Sequence, residues 1–236
     1  MELTPYVWLP AAHANINLGP NDFISASRST GVPSAAEITS SLHGAFMGYG
    51  LARYGPWSAE MDVDWVAATS NNKVVAGPLG RSSFITASAS LVRVAPGFGY
   101  QVMNSAVASI PLTIDVRTGF SWFHWNSTIS SGIPSLNGGS SFVQPWLGTR
   151  FALYPAPRWR ITLDALAQGF GVGGGSWGWA TTLVAAYAVT DWIDVGGGIR
   201  ALKTSREETN AGLLGLGKRS LDIVSYGPIA GVGFRF

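Results

Sequence analysis

The chain has 236 residues, of which 12% are charged and 47% hydrophobic, with 30 Gly, 10 Trp, no Cys and a formal net charge of +2. This excludes a disordered chain, which needs low hydrophobicity and high charge, a coiled coil, which needs abundant Glu, Lys and Arg, and a disulfide scaffold. The length fits one domain, 1–236, and the glycine- and tryptophan-rich apolar balance points to a membrane protein or an unusually buried all-β protein.

A spanning helix needs about 20 consecutive, mostly apolar residues. Three uncharged stretches are that long, Val94–Ile114, Thr118–Thr149 and Ala165–Thr190. The first is broken by Pro96, Gly97, Gly99 and Pro111, and the second is crowded with Ser, Asn and Gly. The third carries Gly169, Gly171, Gly173, Gly174 and Gly175 at its centre. The structure that remains open to an apolar chain in a bilayer is a closed β-barrel, in which every backbone group pairs between strands. Met1-Glu2-Leu3-Thr4 runs directly into a strand, so the sequence is expected to be a mature form with an added Met1.

In chain order, strands are predicted at 5–16, 43–54, 58–70, 84–102, 109–128, 142–154, 159–171, 177–189, 192–205 and 222–236. The fold class is therefore all-β, a transmembrane up-and-down antiparallel barrel of about ten strands, with eight as the alternative. The warrant is alternation. Ala59, Met61, Val63 and Trp65 alternate with Ser58, Glu60, Asp62 and Asp64, and Leu112, Ile114 and Val116 with Thr113, Asp115 and Arg117. Ile161, Leu163 and Ala165 alternate with Arg160, Thr162 and Asp164, and Ile193, Val195 and Ile199 with Asp194, Gly196, Gly198 and Arg200. Short connections at 55–57, 104–108, 155–158 and 190–191 alternate with longer ones at 17–42, 71–83, 129–141 and 206–221, the Gly-rich turn at 172–176 excepted. Outer-membrane barrels share this asymmetry, and an even strand number puts both termini on the periplasmic side of a bacterial outer membrane.

Tryptophan is enriched where an apolar wall meets water. Trp8, Trp57, Trp159 and Trp192 are assigned to an inner aromatic girdle, and Trp65 and Trp122 to an outer one, with Trp125, Trp177 and Trp179 near them. The final stretch puts Tyr226, Ala230, Val232, Phe234 and Phe236 on one face and ends on Phe. Tyr226, Phe234 and Phe236 resemble the signal by which bacterial barrel-assembly machinery recognises its substrates. Further segments resemble a widespread group of small, mostly uncharacterised Gram-negative outer-membrane β-barrel proteins. They are Pro5-Tyr6-Val7-Trp8-Leu9-Pro10, Ala45-Phe46-Met47-Gly48 with Arg53, Gly169-Phe170-Gly171-Val172-Gly173, and Gly227-Pro228 with Gly231 and Phe234-Arg235-Phe236. The resemblance implies the fold and no specific activity.

The alternation directs Arg53, Glu60, Asp62, Asp64, Asp115, Arg117, Arg150, Arg160, Asp164, Arg200 and Arg235 into the lumen. Charges of both signs in a narrow barrel have to pair or meet water. The expected function is a structural or surface role with a filled, salt-bridged lumen, the alternative being a narrow passive channel for small solutes. A lipid-modifying enzyme ranks below both. Its one candidate neighbourhood is Phe123-His124-Trp125-Asn126-Ser127-Thr128, where His124 and Asn126 share a face and Ser127 lies on the other. The two-residue His–Ser spacing of lipid A deacylase barrels is absent, so no enzyme is expected and His124 reads as a rim residue among aromatics.

Three dispersed His and no Cys predict no metal and no cofactor. Scattered Arg and low net charge predict no nucleic-acid partner. Outer-membrane lipids and lipopolysaccharide are the expected surroundings, with the basic spots Lys203–Arg206 and Lys218-Arg219 placed to meet phosphates. A partner in a larger envelope assembly leaves no mark in one sequence. Ser34 with Glu37 three residues on is a capping signal for a short helix over the barrel mouth.

Overall fold

The computed structural model describes residues 1–9, 11–17, 26–28, 42–76, 82–130, 136–209 and 218–236. The strands are β1 (Glu2–Trp8), β2 (Ala11–Asn17), β3 (Ala26–Arg28), β4 (Leu42–Tyr54), β5 (Trp57–Ala76), β6 (Ser82–Val107) and β7 (Ile110–Ser130). They continue with β8 (Leu136–Ala156), β9 (Trp159–Gln168), β10 (Trp177–Ala188), β11 (Ile193–Thr209) and β12 (Lys218–Arg235). Between β9 and β10 a single helical turn, α1, spans Val172–Gly175. The capping signal at Ser34 and Glu37 lies outside the described residues.

Ten strands, β1 and β4 to β12, close an antiparallel up-and-down barrel. Each pairs with its sequence neighbour, and β12 returns to β1 through Leu3↔Phe234 and Val7↔Ala230. The termini tie the seam, with Phe236 N donating to Met1 O at 2.9 Å and the Met1 ammonium to Phe236 O at 2.9 Å. The first strand, predicted as one run over 5–16, comprises β1 and β2, which follow one another on β12 in a single register, with Leu9 N donating to the Pro228 carbonyl at 3.1 Å between them. β12 pairs with β1 through residues 229–235 and with β2 through residues 220–226, and β2 pairs onward with β3.

Several long connections prove to be extended strand. β5 and β6 run into 71–76 and 82–83, β7 and β8 into 129–130 and 136–141, and β11 and β12 into 206–209 and 218–221. These Ser-, Thr- and Asn-rich tips alternate weakly, so composition reads them as loop, although their backbones pair cross-strand at Thr86↔Ser130 and Glu208↔Arg219. The turn predicted at 104–108 is a two-residue turn at Ala108-Ser109, both at positive φ (49° and 67°). Asn104 instead pairs with Thr113. A two-residue hairpin turn needs positive φ at its centre, and the chain meets that demand without glycine. The ninth strand stops at Gln168 rather than 171, because Gly169, Phe170 and Gly171 all take positive φ ahead of α1.

The barrel is apolar outside. Val7, Phe46, Met61, Phe98, Phe120, Leu147, Leu183, Ile199 and Val232 are exposed along the outward parity of their strands. Trp57, Trp159 and Trp192 stand exposed at the end carrying the short turns and the termini, hereafter the turn end. There Trp57 meets Tyr100 edge-on at 4.8 Å, and Trp159 meets Tyr187 at 5.3 Å. Trp65 and Trp122 face outward at the opposite, loop end. Trp8 does not belong to either ring. It shares the parity of Tyr6, is 8% exposed, and packs inside the barrel with Tyr6, Met47, Ala180 and Leu202. Its assignment to the inner girdle is corrected on that ground: parity, not height on the strand, decides whether a side chain meets lipid or lumen.

Candidate functional site: a charge-balanced lumen

Every second residue of each barrel strand points inward, and these positions bring distant charges into four groups. At the turn end Arg160 donates to both carboxylate oxygens of Glu2, at 2.8 and 2.7 Å. Asp194 accepts from Arg160 at 3.3 Å and also from Arg235. This carboxylate lies flat against β12 because residue 233 is glycine; a Cβ there would overlap Asp194 Oδ1. Beside it Arg53 grips Asp115 with two bonds, at 3.1 and 2.6 Å.

Deeper in, Arg117 donates to Glu60 at 2.9 Å and pairs with Asp164 at 2.7 Å. Arg150 Nε reaches Asp164 at 2.8 Å, and its Nη1 donates to the Tyr49 hydroxyl, which itself donates to Glu60 at 2.6 Å. Deepest of all are Asp62 and Asp64. Arg93 Nη1 donates to both, at 2.6 and 2.8 Å, and Arg200 pairs with both, at 3.0 and 3.3 Å. The Tyr6 hydroxyl lies 2.7 Å from each carboxylate and accepts from Arg200 Nη1 at 2.6 Å. Arg200 also sits 5.0 Å over the Trp8 ring.

Within these four groups, among the described residues, seven carboxylates thus meet seven guanidiniums. Such a balance is what a low-dielectric interior requires, since an unpaired charge there is costly. All eleven charged residues assigned to the lumen from alternation take part. Sequence reasoning missed Glu2, Arg93, Asp194, Tyr6 and Tyr49 as site residues. Arg93 is a lone charge in the run Leu91-Val92-Arg93-Val94-Ala95, and Glu2 precedes the predicted start of its strand. Asp194 already stood on the polar side of its alternation, and that parity was the available signal. Among the described residues no three His, Cys, Asp or Glu side chains gather as a metal site would need.

A cavity of about 580 Å³ runs through the network from Met1 and Phe236, which are exposed at the turn end, to Arg93, Trp146 and Arg200. Arginine exposure falls along this path, from 38% at Arg235 through 21% at Arg160 to 4% at Arg93. Its lining includes, besides the ion pairs, the small or apolar residues Ala180, Val184, Ala186, Gly196 and Gly231. Trp146 closes the inner end. Its ring rests on Gly97 and Gly119, where any Cβ would run into it, and Arg117 lies 5.9 Å over its face. Immediately beyond are Ser121, Gln144 and Gln168, all with zero exposure, and Phe123. Gln168 donates to Thr204 at 3.0 Å, whereas neither amide atom of Gln144 has a partner among the described residues. Over the described residues the lumen is therefore a cup, open at the turn end and stopped at the level of Trp146.

The remaining candidates lie outside the cup. Tyr226 and Phe236 are exposed and Phe234 half-buried, on the outward parity of the closing strand and its end. Lys203 pairs loosely with Asp222 at 3.7 Å. His124 faces outward, stacked on Trp122 with ring centroids 5.8 Å apart.

No protein-family model matches the chain, and no curated protein matches it. Similar solved structures include the toluene transporter TodX of Pseudomonas putida, at a TM-score of 0.33 and 9% identity, over 100% of this chain and 89% of that one. A TodX deletion mutant, described as a monoaromatic hydrocarbon channel, has a TM-score of 0.31 at 9% identity, over 100% and 90%. Likeness of this degree assigns neither family nor activity.

Proposed function

We propose that this chain is an integral β-barrel of a bacterial outer membrane, with both termini periplasmic, whose interior has a structural, non-conducting and non-catalytic role. The observation that carries the reading is the neutral network of seven carboxylates and seven guanidiniums below a stop of Trp146, Ser121, Gln144 and Gln168. A permeation path needs continuous water, and the buried stop above the ion-paired network supports a closed interior. The membrane assignment is supported by the outward apolar belt, which suits hydrocarbon and is far larger than the scattered apolar surface of soluble proteins. Outer-membrane lipids and lipopolysaccharide are the partners that such a wall meets. The outward aromatics of the closing strand suit an assembly signal.

One observation favours the second reading, a narrow channel for small solutes: the cup already occupies the turn-end part of the barrel. Planar-bilayer recording separates the two. The wild-type barrel is expected to give no single-channel steps, and Trp146→Ala combined with Gln144→Ala, which empties the stop, is expected to give them. Reproducible steps from the wild type would overturn the closed reading.

A further inference from the structure

The outward wall of a lipid-facing barrel should be apolar, yet three polar side chains meet on it. His124 and Asn126 stand two apart on β7, and His124 lies directly opposite Ser141 on β8. His124 Nδ1 is 2.7 Å from Ser141 Oγ, and Nε2 is 2.9 Å from the Asn126 amide. Asn126 and Ser141 are exposed, so a substrate can reach them from outside. The imidazole is held on its other side by the stacked Trp122 ring, nearly parallel at 9°. Residue 139, opposite Asn126, is glycine, and a Cβ there would overlap Asn126 Oδ1. The missing side chain gives Asn126 room to lie along the wall and reach His124.

A hydroxyl bonded to an imidazole, itself bonded to a third polar group, is the arrangement that activates a serine nucleophile. Asparagine presents an oxygen or an NH₂ to Nε2 by a half-turn of its amide. With the oxygen presented, Nε2–H donates to Asn126 and the Nδ1 lone pair is free to take the Ser141 proton. The height on the wall suits lipid. Trp65, Val92, His124 and Ser141 form one cross-strand row, and Trp122 is the next outward residue toward the turn end. The trio therefore stands in the loop-end aromatic girdle, where the acyl ester linkages of a membrane lipid meet water.

We propose that Ser141 and His124, positioned by Asn126, form an esterase site on the outer wall that takes the acyl ester of a membrane lipid. The proposal rests on the wall facing lipid, and is independent of whether the lumen conducts. Ser141 Oγ attacks the ester carbonyl carbon as its proton passes to His124 Nδ1. The carbon–oxygen bond to the lipid alcohol breaks, and that alcohol leaves with the proton from His124. Water, deprotonated by His124, then attacks the acyl-serine, releasing the fatty acid and restoring the Ser141 hydroxyl.

The test uses the full chain in detergent micelles with a fluorophosphonate probe, read by mass spectrometry. The wild type is expected to be modified at Ser141 and Ser141→Ala to be unmodified. His124→Ala is expected to slow labelling by about 10²–10⁴-fold, the usual loss on removing a general base. Asn126→Ala should slow it too, and Asn126→Asp, which keeps an acceptor oxygen, should restore it, a rescue that a merely structural neighbour does not give. Heat-modifiable migration of each variant shows that the barrel is intact. Wild-type labelling no faster than that of His124→Ala, in a heat-modifiable barrel, overturns the site, whereas loss of heat-modifiability in the wild type overturns the barrel reading. Two arms identify the lipid: fatty acid release from diacyl phosphatidylethanolamine vesicles, or from lipopolysaccharide micelles. Release from neither overturns the lipid ester as substrate.

Discussion

Removing Arg93 tests whether charge balance holds the lumen together. Arg93 is 4% exposed and touches Asp62 at 2.6 Å and Asp64 at 2.8 Å. At an effective dielectric of about 20, each contact corresponds to about 6 kcal/mol of Coulomb attraction. Desolvating the ions offsets most of this, by several kcal/mol per ion. The net value of the pairs is therefore small, but breaking them is not neutral. In Arg93→Met, Asp62 and Asp64 share Arg200 alone, and one carboxylate is left uncompensated inside the barrel. The expected loss is about 3–5 kcal/mol. Adding Asp64→Asn to Arg93→Met restores neutrality and keeps the acceptor oxygen for Tyr6, so the double variant should recover about half or more of that loss. The assay is urea unfolding in detergent micelles followed by tryptophan fluorescence, with the fraction of heat-modifiable band as a second probe. A loss below about 1 kcal/mol for Arg93→Met, or a double variant as unstable as the two single losses added together, would refute the balance argument.

Two further expectations concern packing and orientation. In Gly119→Ala the new Cβ would overlap the Pro96 carbonyl oxygen, a backbone atom that cannot rotate away, as well as the Trp146 ring. The variant should lose about 2 kcal/mol or more, seen as a lower urea midpoint and less heat-modifiable barrel. For Trp8, brominated lipid is the probe. Trp8→Phe should leave the quenched component of the emission unchanged, because this ring packs among Tyr6, Met47 and Ala180, while Trp122→Phe should diminish it. Equal effects from both would return Trp8 to the lipid face.

The charged lumen was legible to an unequal degree. Parity on one strand is enough to send Glu60, Asp62, Asp64, Asp115 and Arg117 inward. It does not say which cation each meets, because the partners are far apart in sequence: Arg200 and Asp62 are separated by 138 residues, and Arg160 and Glu2 by 158. Their pairing depends on how the strands stagger around the closed barrel. Trp8 was misplaced where its parity, shared with Tyr6, carried the signal, and Arg93 was passed over because a single charge hardly disturbs an apolar run. The His124 site was half visible. His124 and Asn126 share a face by their spacing, but the serine comes from the next strand, 17 residues on, and only the β7–β8 register sets it opposite.

The sequence by itself determined the class of fold and the two faces of its wall. Alternation is a local property, fixed by the pleat of each strand and independent of its neighbours. Scarce charge, the glycine-broken apolar stretches and the alternating connection lengths leave a closed barrel as the solution. The tertiary structure decided everything that depends on closure and register. It decided which carboxylate meets which guanidinium in the network of seven and seven, that Trp146 rests on two glycines and stops the cup, and that one polar trio stands on the outer wall. Strand pairing brings residues together by stagger, and stagger is set by the whole circuit of ten strands rather than by any one of them.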